Sequence, residues 1–556
     1  MPALRTTGTV VVAALLLAGC AQSTSYRQRQ ALYDVQQGKY ADAAARINGI
    51  YGSHLDGEPP DLGDGPAKGT ELDEKHLLLW RMERGAISGF ADDLPAASRQ
   101  LDEAAALVDD RRTKSLVREG GTWLVNDTVR EYAGFLYEHA QVDVARLLGE
   151  AVQAQRAEGR LAGAKDGQTA EFHWNRALVR ARHLAQEVLP ETRDATAGSD
   201  PYQDDPWGRV LAASMVLAMT PSMRGGSDDS FAAVQLRRAM LAYDSERARL
   251  GADKHADYQL KGRPAVAEAL WLAHLYRYDP AGLPAQAREL GIPAERVAAA
   301  KPQDGQGLLL VLNQVDFIAK PEVLAIGFGT ITPAVTTSES AHGVSTSTFS
   351  TGGFIFWCKG PGADVAFGWP LVPMPTEVMK KMTPGGLSVI GFQIPVHPKS
   401  EARPAPARLS VAGRQEPLAI ASDLDAYARA TLKHNQPGQV AKTLGRLVVK
   451  QAAVAAAAYA VKQANDSSGG AALALAINLV GSALMTYSEQ ADIRAWSTLP
   501  RQVEAALVTL PAGEYHPTLE TPRGPVTLPA VTISPGRLSL LPVRTFSRDP
   551  IPPIKY

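Results

Sequence analysis

The hydrophobic pattern changes its period near residue 305, and this change limits which folds the chain can adopt. Before it, apolar residues recur every three to four positions, as on the buried face of a helix. After it, short apolar runs such as 308–312, 323–328 and 387–396 are separated by turn residues. A run of helices followed by a run of strands favours an α+β fold over an alternating α/β fold. We therefore predict an α+β protein whose helical domain spans residues 31–300.

Two stretches of this helical domain share a short pattern, in which a glycine precedes small residues and a larger apolar one. The first holds Gly38, Tyr40, Ala43, Ala44 and Ile47, and the second holds Gly85, Ala91, Leu94, Ala97, Leu101 and Ala104. A small residue lets two helices approach, and a large one fills the groove between them, as in a tetratricopeptide (TPR) unit. The pattern predicts TPR-like stacked helix pairs, and a generic helical bundle is the alternative.

Three further regions are predicted beyond the helical domain. Residues 305–435 form a β-rich region with a Ser/Thr-rich loop at 330–353, and residues 503–556 form a C-terminal β-meander whose turns hold proline and glycine. Between them, residues 440–500 contain an apolar helical hairpin. Each of its apolar runs is shorter than the about 20 residues that span a membrane. This length favours a hairpin buried in a soluble core over one inserted in a bilayer.

A separate, shorter helix is predicted just before that hairpin. Ser422 and Asp425 resemble a capping box, which marks the first turn of a helix. The helix is expected to end near Lys433.

The N-terminus carries an export signal. Arg5 precedes the apolar run 10–17, and Leu17-Ala18-Gly19-Cys20 supplies the small residues of a cleavage site. These four residues match the lipobox of bacterial lipoproteins. We predict a signal peptide at 1–19, lipidation of Cys20 and a polar tether at 20–30.

The lipid on Cys20 would anchor the protein firmly, because each buried CH₂ group contributes about 0.8 kcal/mol. Ala21 follows the cysteine at a position where lipoproteins of the inner membrane often carry Asp. By resemblance to such lipoproteins, we expect the protein at the outer membrane, facing the periplasm.

Charge and motif composition exclude several classes of function. Without Arg5 the chain has 56 basic and 58 acidic residues, from 57 and 58 in the whole sequence, so no excess of positive charge favours nucleic acid. The sequence has no His-Glu-x-x-His, Gly-x-Ser-x-Gly, P-loop or Cys-x-x-Cys motif. We therefore predict no catalytic residues, no metal and no cofactor. His173 and His183 lie ten residues apart and are interpreted as surface or satisfied core histidines. Cys358 is the thiol that remains, and it is either buried or reactive.

One polar motif stands out near the C-terminus: Asp492, Arg494, Trp496 and Pro500. In an extended segment the first three share one face, because alternate residues do. One interpretation is a structural latch, in which Arg494 pairs with an acid, Trp496 fills a seam and Pro500 ends the element. The second is an interface site, since Arg and Trp are typical interface anchors, and the third is catalysis.

The same motif carries a resemblance. Asp-x-Arg-x-Trp-x-x-Leu-Pro at 492–500, followed by Leu510-Pro511-Ala512-Gly513, resembles a largely uncharacterised family of Gram-negative outer-membrane lipoproteins. The segment 124–127 with Tyr132 and Glu138 is similar to this family too. The resemblance implies a lipobox, a TPR-like helical half and a final β-meander, and loosely associates the chain with activators of peptidoglycan synthases.

Together these features predict a non-enzymatic outer-membrane lipoprotein that acts as a protein-binding scaffold or regulator of cell-envelope assembly. The resemblance alone implies that this process is peptidoglycan synthesis. The alternatives are a hydrolase of peptidoglycan or another envelope polymer, and a glycan-binding anchor. The expected partners are the membrane, through Cys20, and an envelope protein, with no nucleic acid.

Overall fold

The computed structural model of the chain describes residues 19–51, 74–118, 130–189, 201–251, 258–260, 262–331, 336–339, 345–348, 353–359, 387–398, 403–464 and 490–547. It contains helices and strands in separate stretches of the chain, and the predicted α+β class is confirmed. The helices are α1 (Gly19–Gln36), α2 (Tyr40–Tyr51), α3 (Leu77–Phe90), α4 (Leu94–Arg118), α5 (Leu136–Ala157), α6 (Ala170–His183), α7 (Pro206–Ala218), α8 (Gly226–Gly251), α9 (Ala265–Tyr278), α10 (Leu283–Glu289), α11 (Ala294–Ala299) and α12 (Leu424–Ala464).

The strands follow in one long stretch, interrupted by α12. They are β1 (Gln306–Phe317), β2 (Glu322–Ile331), β3 (Thr336–Glu339), β4 (Ser345–Thr348), β5 (Gly353–Lys359), β6 (Leu387–Val396), β7 (Arg408–Val411), β8 (Arg414–Pro417), β9 (Ala419–Ser422), β10 (Pro500–Pro511), β11 (Gly513–Tyr515), β12 (Thr518–Thr521), β13 (Gly524–Thr527), β14 (Val531–Ile533) and β15 (Leu538–Thr545).

The N-terminal helices stack in sequential pairs. α1 contacts α2, α3 contacts α4, α5 contacts α6 and α7 contacts α8, and each pair also contacts the next. A small residue permits close contact between α3 and α4, since a Cβ atom on Gly85 would lie 2.7 Å from Leu101 Cγ. The helix pairs are therefore present, while the TPR-like repeat remains a prediction.

The predicted polar tether at 20–30 is wrong for its second half. Cys20 lies in the first turn of α1, and that helix already contacts the core at Gln28, which is 2% exposed. The amide of Gln28 donates to Tyr51 Oη at 3.1 Å and to Ser497 Oγ at 3.0 Å. A polar sequence looked like a solvated tether because its hydrogen-bond partners lie far away in the chain.

A central sheet lies against the helices, with the strand order β15-β1-β10-β9. Leu310 and Leu312 of β1 belong to the core shared with the helices, whereas Leu309 and Val311 belong to a second core against the smaller sheets. A strand buried on both faces has a continuous apolar sequence, which explains the run 308–312.

The predicted C-terminal β-meander is wrong in its pairing. β10 pairs antiparallel with β1, β15 pairs parallel with β1, and β12 pairs with β7. The turn at Pro522 does form a hairpin, since β12 pairs with β13, but β10, β12 and β15 also pair with strands about 110 to 230 residues earlier in the chain. Turn residues specify a change of direction, not the partner strand.

The predicted Ser/Thr-rich loop at 330–353 contains strands. Ile331 of β2 pairs with Gly353 of β5, and Thr336 of β3 pairs with Thr348 of β4, five positions later and five earlier in the chain; the residues of the predicted loop outside these strands lie beyond the described ranges. Both pairings therefore follow one register. Threonine favours strands because its branched side chain suits a pleated surface, so the polar composition did not indicate a loop. Cys358 lies in β5, where its backbone pairs with Ile326.

The helix predicted to end near Lys433 continues without a break to Ala464, with Pro437 inside it. Its later part is the first half of the predicted apolar hairpin, and the second half, 471–485, lies outside the described residues. Leu447 packs on Phe392 and Ile394 of β6, but Leu444 and Val449 are 42% and 45% exposed. This part of α12 is thus only partly buried. Among the helices that the structure describes, none is long and apolar enough to cross a bilayer.

Candidate functional site

A cleft of about 410 Å³ opens between helices α3, α4 and α5 on one side and strand β15 on the other. We call it the α3–α5 cleft. The helices leave this space because small residues line it: Gly85, Ala86 and Gly89 from α3, Ala97 and Ser98 from α4, and Ala145 and Gly149 from α5. A Cβ atom added to Gly149 would meet no heavy atom within 4 Å. The cleft is therefore open at α5.

Positive charge dominates the polar lining of the cleft. Arg146, Arg156 and Arg544 line it together with one carboxylate, Asp92. Arg156 Nη2 donates to Asp92 Oδ1 at 2.7 Å, and Arg146 Nη1 donates to Asp143 Oδ1 at 2.6 Å. Asp92 is thus already paired, and Arg146 is paired with Asp102 as well, at 2.8 Å. The positive charge left to attract a ligand is therefore that of Arg544.

Arg544 is the least compensated of these arginines. Its guanidinium carbon lies 5.2 Å, 4.9 Å and 5.7 Å from the ring centres of Phe90, Phe317 and Phe546. Nη2 donates to the carbonyls of Asp316 and Leu499, whereas the buried Nε and Nη1 find no hydrogen-bond partner in the described part of the chain. Burial lowers the pKa of Arg544 to about 9, and the Asp316 charge opposes this shift. The guanidinium lacks a matched anion.

The motif residues Asp492 and Arg494 form a structural contact beside the cleft. Arg494 Nη2 and Nε donate to the two carboxylate oxygens of Asp492 at 2.7 Å and 2.9 Å. Arg494 Nη1 also donates to the carbonyls of Lys75 and Arg130, at 3.1 Å and 2.9 Å, and its guanidinium lies 5.3 Å from the ring centre of Tyr132. This arrangement fits the latch interpretation, since it fixes the C-terminal segment onto the helical region.

Two buried glutamates hold the segment that follows. Glu138 accepts the backbone N–H of Trp496 at 2.7 Å and the hydroxyl of Tyr132 at 2.6 Å. Glu83 accepts the backbone N–H and hydroxyl of Ser497 at 2.7 Å and 2.6 Å. Burial raises the pKa of Glu138 to about 7, although these hydrogen bonds oppose the rise. The carboxylates of Glu138 and Glu83 therefore accept hydrogen bonds from the buried N–H and O–H groups of this irregular segment.

Sequence reasoning missed Glu83, although a signal was present. It lies on the same face of α3 as Leu79, four residues earlier, and Ile87, four residues later, and both are buried. A charged residue on the apolar face of a helix needs a buried partner. Tyr132 and Glu138, which carried part of the family resemblance, do meet the Asp492–Pro500 motif, and 358 residues separate Glu138 from Trp496.

Trp496 and Pro500 belong to both the latch and the cleft. Trp496 is 2% exposed within the main core, lines the cleft and donates from Nε1 to Thr498 Oγ1 at 2.8 Å. Pro500 was predicted to end an element, but it begins β10, a position where a strand tolerates the missing N–H. It also lines the cleft. The motif thus builds one wall of the site.

His173 and His183 are satisfied in a polar network between α4, α5 and α6. His173 Nδ1 lies 2.6 Å from Glu150 Oε2 and its Nε2 lies 3.1 Å from Asp166 Oδ1, while His183 Nδ1 lies 2.7 Å from Asp143 Oδ2. Burial alone would lower the pKa of His173, but its bonds to Glu150 and Asp166 outweigh this and raise it. Both ring nitrogens of His173 are engaged, which does not leave a free base.

Within the described ranges, no three His, Cys, Asp or Glu side chains lie close enough together to hold a metal ion. Comparison with protein-family models, with curated proteins and with solved structures finds no match to this chain.

Proposed function

We propose that this protein is a non-enzymatic lipoprotein of the outer membrane that scaffolds or regulates cell-envelope assembly by binding a partner at the α3–α5 cleft. The observation that carries the proposal is the lining of this cleft. Small residues leave it open, and Arg146 and Arg156 are paired with carboxylates. The third arginine, Arg544, forms no ion pair with a carboxylate among the described residues. Such a surface is suited to binding an anionic or polar group.

The same lining supports binding over hydrolysis of a glycan. Most glycoside hydrolases use two carboxyl groups on either side of the scissile bond, about 5–10 Å apart. Among the described residues that line the cleft, Asp92 is the one carboxylate, and it forms an ion pair with Arg156. The described lining therefore lacks the second carboxyl group that this chemistry needs.

The lipobox supports the location. Because α1 begins at Gly19, Cys20 is joined to the folded body by helix. At about 1.5 Å of rise per residue, the buried Gln28 lies about 12 Å along the helix from Cys20. A lipid on Cys20 would therefore hold the folded body close to the membrane surface, with little slack.

Cys20→Ser tests the anchor. We expect the variant to lose incorporation of a labelled fatty acid and to leave the membrane fraction, with an unchanged melting temperature. Cys358→Ser is the matched control and should keep the label. Equal labelling of the Cys20→Ser protein would contradict the proposed anchoring.

Occluding the cleft tests the partner. Gly149→Leu places a side chain into open space inside the cleft, and Gly49→Leu on α2 is the matched control, because a Cβ atom there also meets nothing within 4 Å. In-cell cross-linking should capture an envelope protein with wild type and with Gly49→Leu, and lose it with Gly149→Leu. On the family resemblance alone, a peptidoglycan synthase is the first partner to test.

Hydrolysis of purified peptidoglycan by the protein, abolished by changing one polar residue of the cleft, would overturn the proposal. An unchanged cross-link in Gly149→Leu would show that the partner binds elsewhere.

A further inference from the structure

We infer that the α3–α5 cleft takes an aliphatic carboxylate as its ligand, with the carboxylate compensating Arg544 and the chain lying along the apolar wall. This inference rests on the proposed function in one respect, namely that the cleft is a binding site. It adds the chemical class of the ligand. Charge, lining and strand-edge geometry support it independently.

The charge argument starts from what surrounds Arg544. The carboxylate of Asp316, whose charge opposes the lowering of the pKa of Arg544, accepts hydrogen bonds from the backbone N–H of Ser547 at 2.7 Å and from the hydroxyl of the same residue. Arg544 contacts Asp316 only through the backbone carbonyl. A buried charge without a direct counter-ion is unfavourable. The N–H groups on Nε and Nη1 can donate charge-assisted hydrogen bonds to a carboxylate.

The apolar argument comes from the rest of the lining. The walls beside Arg544 are formed by aliphatic and aromatic side chains from both the helices and β15, namely Phe90, Leu101, Val144, Leu148, Leu541 and Phe546. The volume of the cleft, about 410 Å³, lies within the range of about 300–1,000 Å³ typical of small-molecule sites. A ligand that is anionic at one end and aliphatic along its length matches both parts of this lining.

The strand edge argues against an extended peptide that pairs with β15 as an added strand. β15 is an edge strand, and its outward N–H and C=O at Leu540 are both bonded to the side-chain amide of Gln155, at 2.8 Å and 2.9 Å. Two residues further along the same edge, Pro542 has no N–H. An extended peptide binds a sheet edge through main-chain hydrogen bonds, and at Leu540 and Pro542 this edge has no free N–H to donate. An aliphatic chain needs none.

Access to Arg544 requires a side-chain movement. Nε and Nη1 are buried, and Phe90 and Phe546, which flank the guanidinium, also line the cleft. Direct contact with the carboxylate therefore requires a shift of the covering side chains. Because Trp496 lines the same cleft, its fluorescence should report the binding.

The test uses the full mature chain carrying Cys20→Ser, so that no attached lipid competes for the cleft. Dodecanoate, dodecan-1-ol and acetate are titrated below their aggregation limits by calorimetry and by Trp fluorescence. We expect saturable 1:1 binding of dodecanoate, about tenfold or more weaker binding of the alcohol, and no measurable binding of acetate. Equal affinity for dodecanoate and the alcohol, or for dodecanoate and acetate, would overturn the inference.

Variants assign the site. Arg544→Gln should reduce the affinity for dodecanoate to that for dodecan-1-ol, and Arg414→Gln, on the exposed strand β8, should leave it unchanged. Gly149→Leu should weaken both ligands and keeps the test open if Arg544→Gln does not fold. Full binding in Gly149→Leu would overturn the inference.

Failure of this inference can be told apart from failure of the proposed function. If dodecanoate does not bind but the cross-link still depends on Gly149, the ligand class is wrong and the cleft remains the partner site. Binding of a short apolar peptide in place of dodecanoate would overturn the ligand class in the same way.

Discussion

Trp496 is the residue on which the main core and the cleft both depend. It is 2% exposed, and Glu138 accepts its backbone N–H at 2.7 Å. We expect Trp496→Ala to lower the free energy of unfolding by about 3–5 kcal/mol, because it removes a large buried side chain and leaves a cavity. Denaturant unfolding measures the change. Phe172→Ala is the control, since Phe172 is 42% exposed, and should change stability by under about 0.5 kcal/mol. A similar small effect for Trp496→Ala would place the indole outside the core.

Glu138 gives the stability a defined pH dependence. Its pKa is about 7 in the folded protein, against about 4.3 in an unfolded chain. The folded state therefore holds this proton more tightly, and the resulting stability is full below about pH 4.3 and is lost as the pH rises through 7. Between pH 5 and 7, wild type should lose roughly 2 kcal/mol more than Glu138→Gln, which cannot titrate.

Urea unfolding at several pH values measures this difference, and titrating groups that do not interact with Glu138 cancel because both proteins contain them. Glu171→Gln, at an exposed position of α6, should keep the wild-type slope. Parallel pH profiles for wild type and Glu138→Gln would contradict the assigned shift.

At the scale of elements, the contact between α3 and α4 depends on Gly85. A Cβ atom there would lie 2.7 Å and 2.8 Å from Leu101 Cγ and Cδ2, so Gly85→Ala forces the helices apart or moves Leu101. We expect overpacking to lower the free energy of unfolding by about 1–3 kcal/mol, which exceeds the gain of up to about 1 kcal/mol from the higher helix propensity of alanine. Thermal melts measure the change. Gly49→Ala on α2 meets nothing within 4 Å and should be neutral or stabilising in the same thermal melts. A gain in stability for Gly85→Ala would contradict the close contact.

Element types were predictable where the local pattern reflected burial. The run 387–396 was predicted as a strand and is β6 with the same limits, because alternation along a strand follows directly from its two faces. The first and last residues of an element were less predictable where contacts with other parts of the chain decided them. α12 passes Lys433 and Pro437 and continues to Ala464, and Leu447 packs on β6. Local capping signals do not include that contact.

For the whole molecule, the helical domain and the sheet share one core. The main buried cluster contains Ala31 and Leu217 from the helices together with Leu310, Trp496 and Leu540 from the strand region. We therefore expect residues 31–300 expressed alone to lack a cooperative melting transition, because their inner surface would lose its sheet. Circular dichroism and calorimetry of this fragment, with the full mature chain as control, test the prediction. A cooperatively folded fragment would show that 31–300 is an independent domain.

The fold class and the short motifs of this protein were predictable from local patterns in its sequence. The change of period near residue 305 predicted the α+β class, because the spacing of apolar residues reflects which side of one helix or strand is buried. The lipobox at Leu17–Cys20 and the motif at 492–500 are likewise visible as short patterns. For Arg494 and Trp496, residue type allowed the latch as one of three interpretations and did not decide between them.

Only the tertiary structure decided which distant segments meet. β1 pairs with strands that begin about 190 and 230 residues later, Glu83 binds a segment 414 residues away, and Gln28 is buried rather than solvated. The cleft around Arg544 arises from the same long-range packing. Strand pairing and buried polar contacts depend on the free energy of bringing separate segments together. A local sequence pattern does not specify which distant segment becomes the partner.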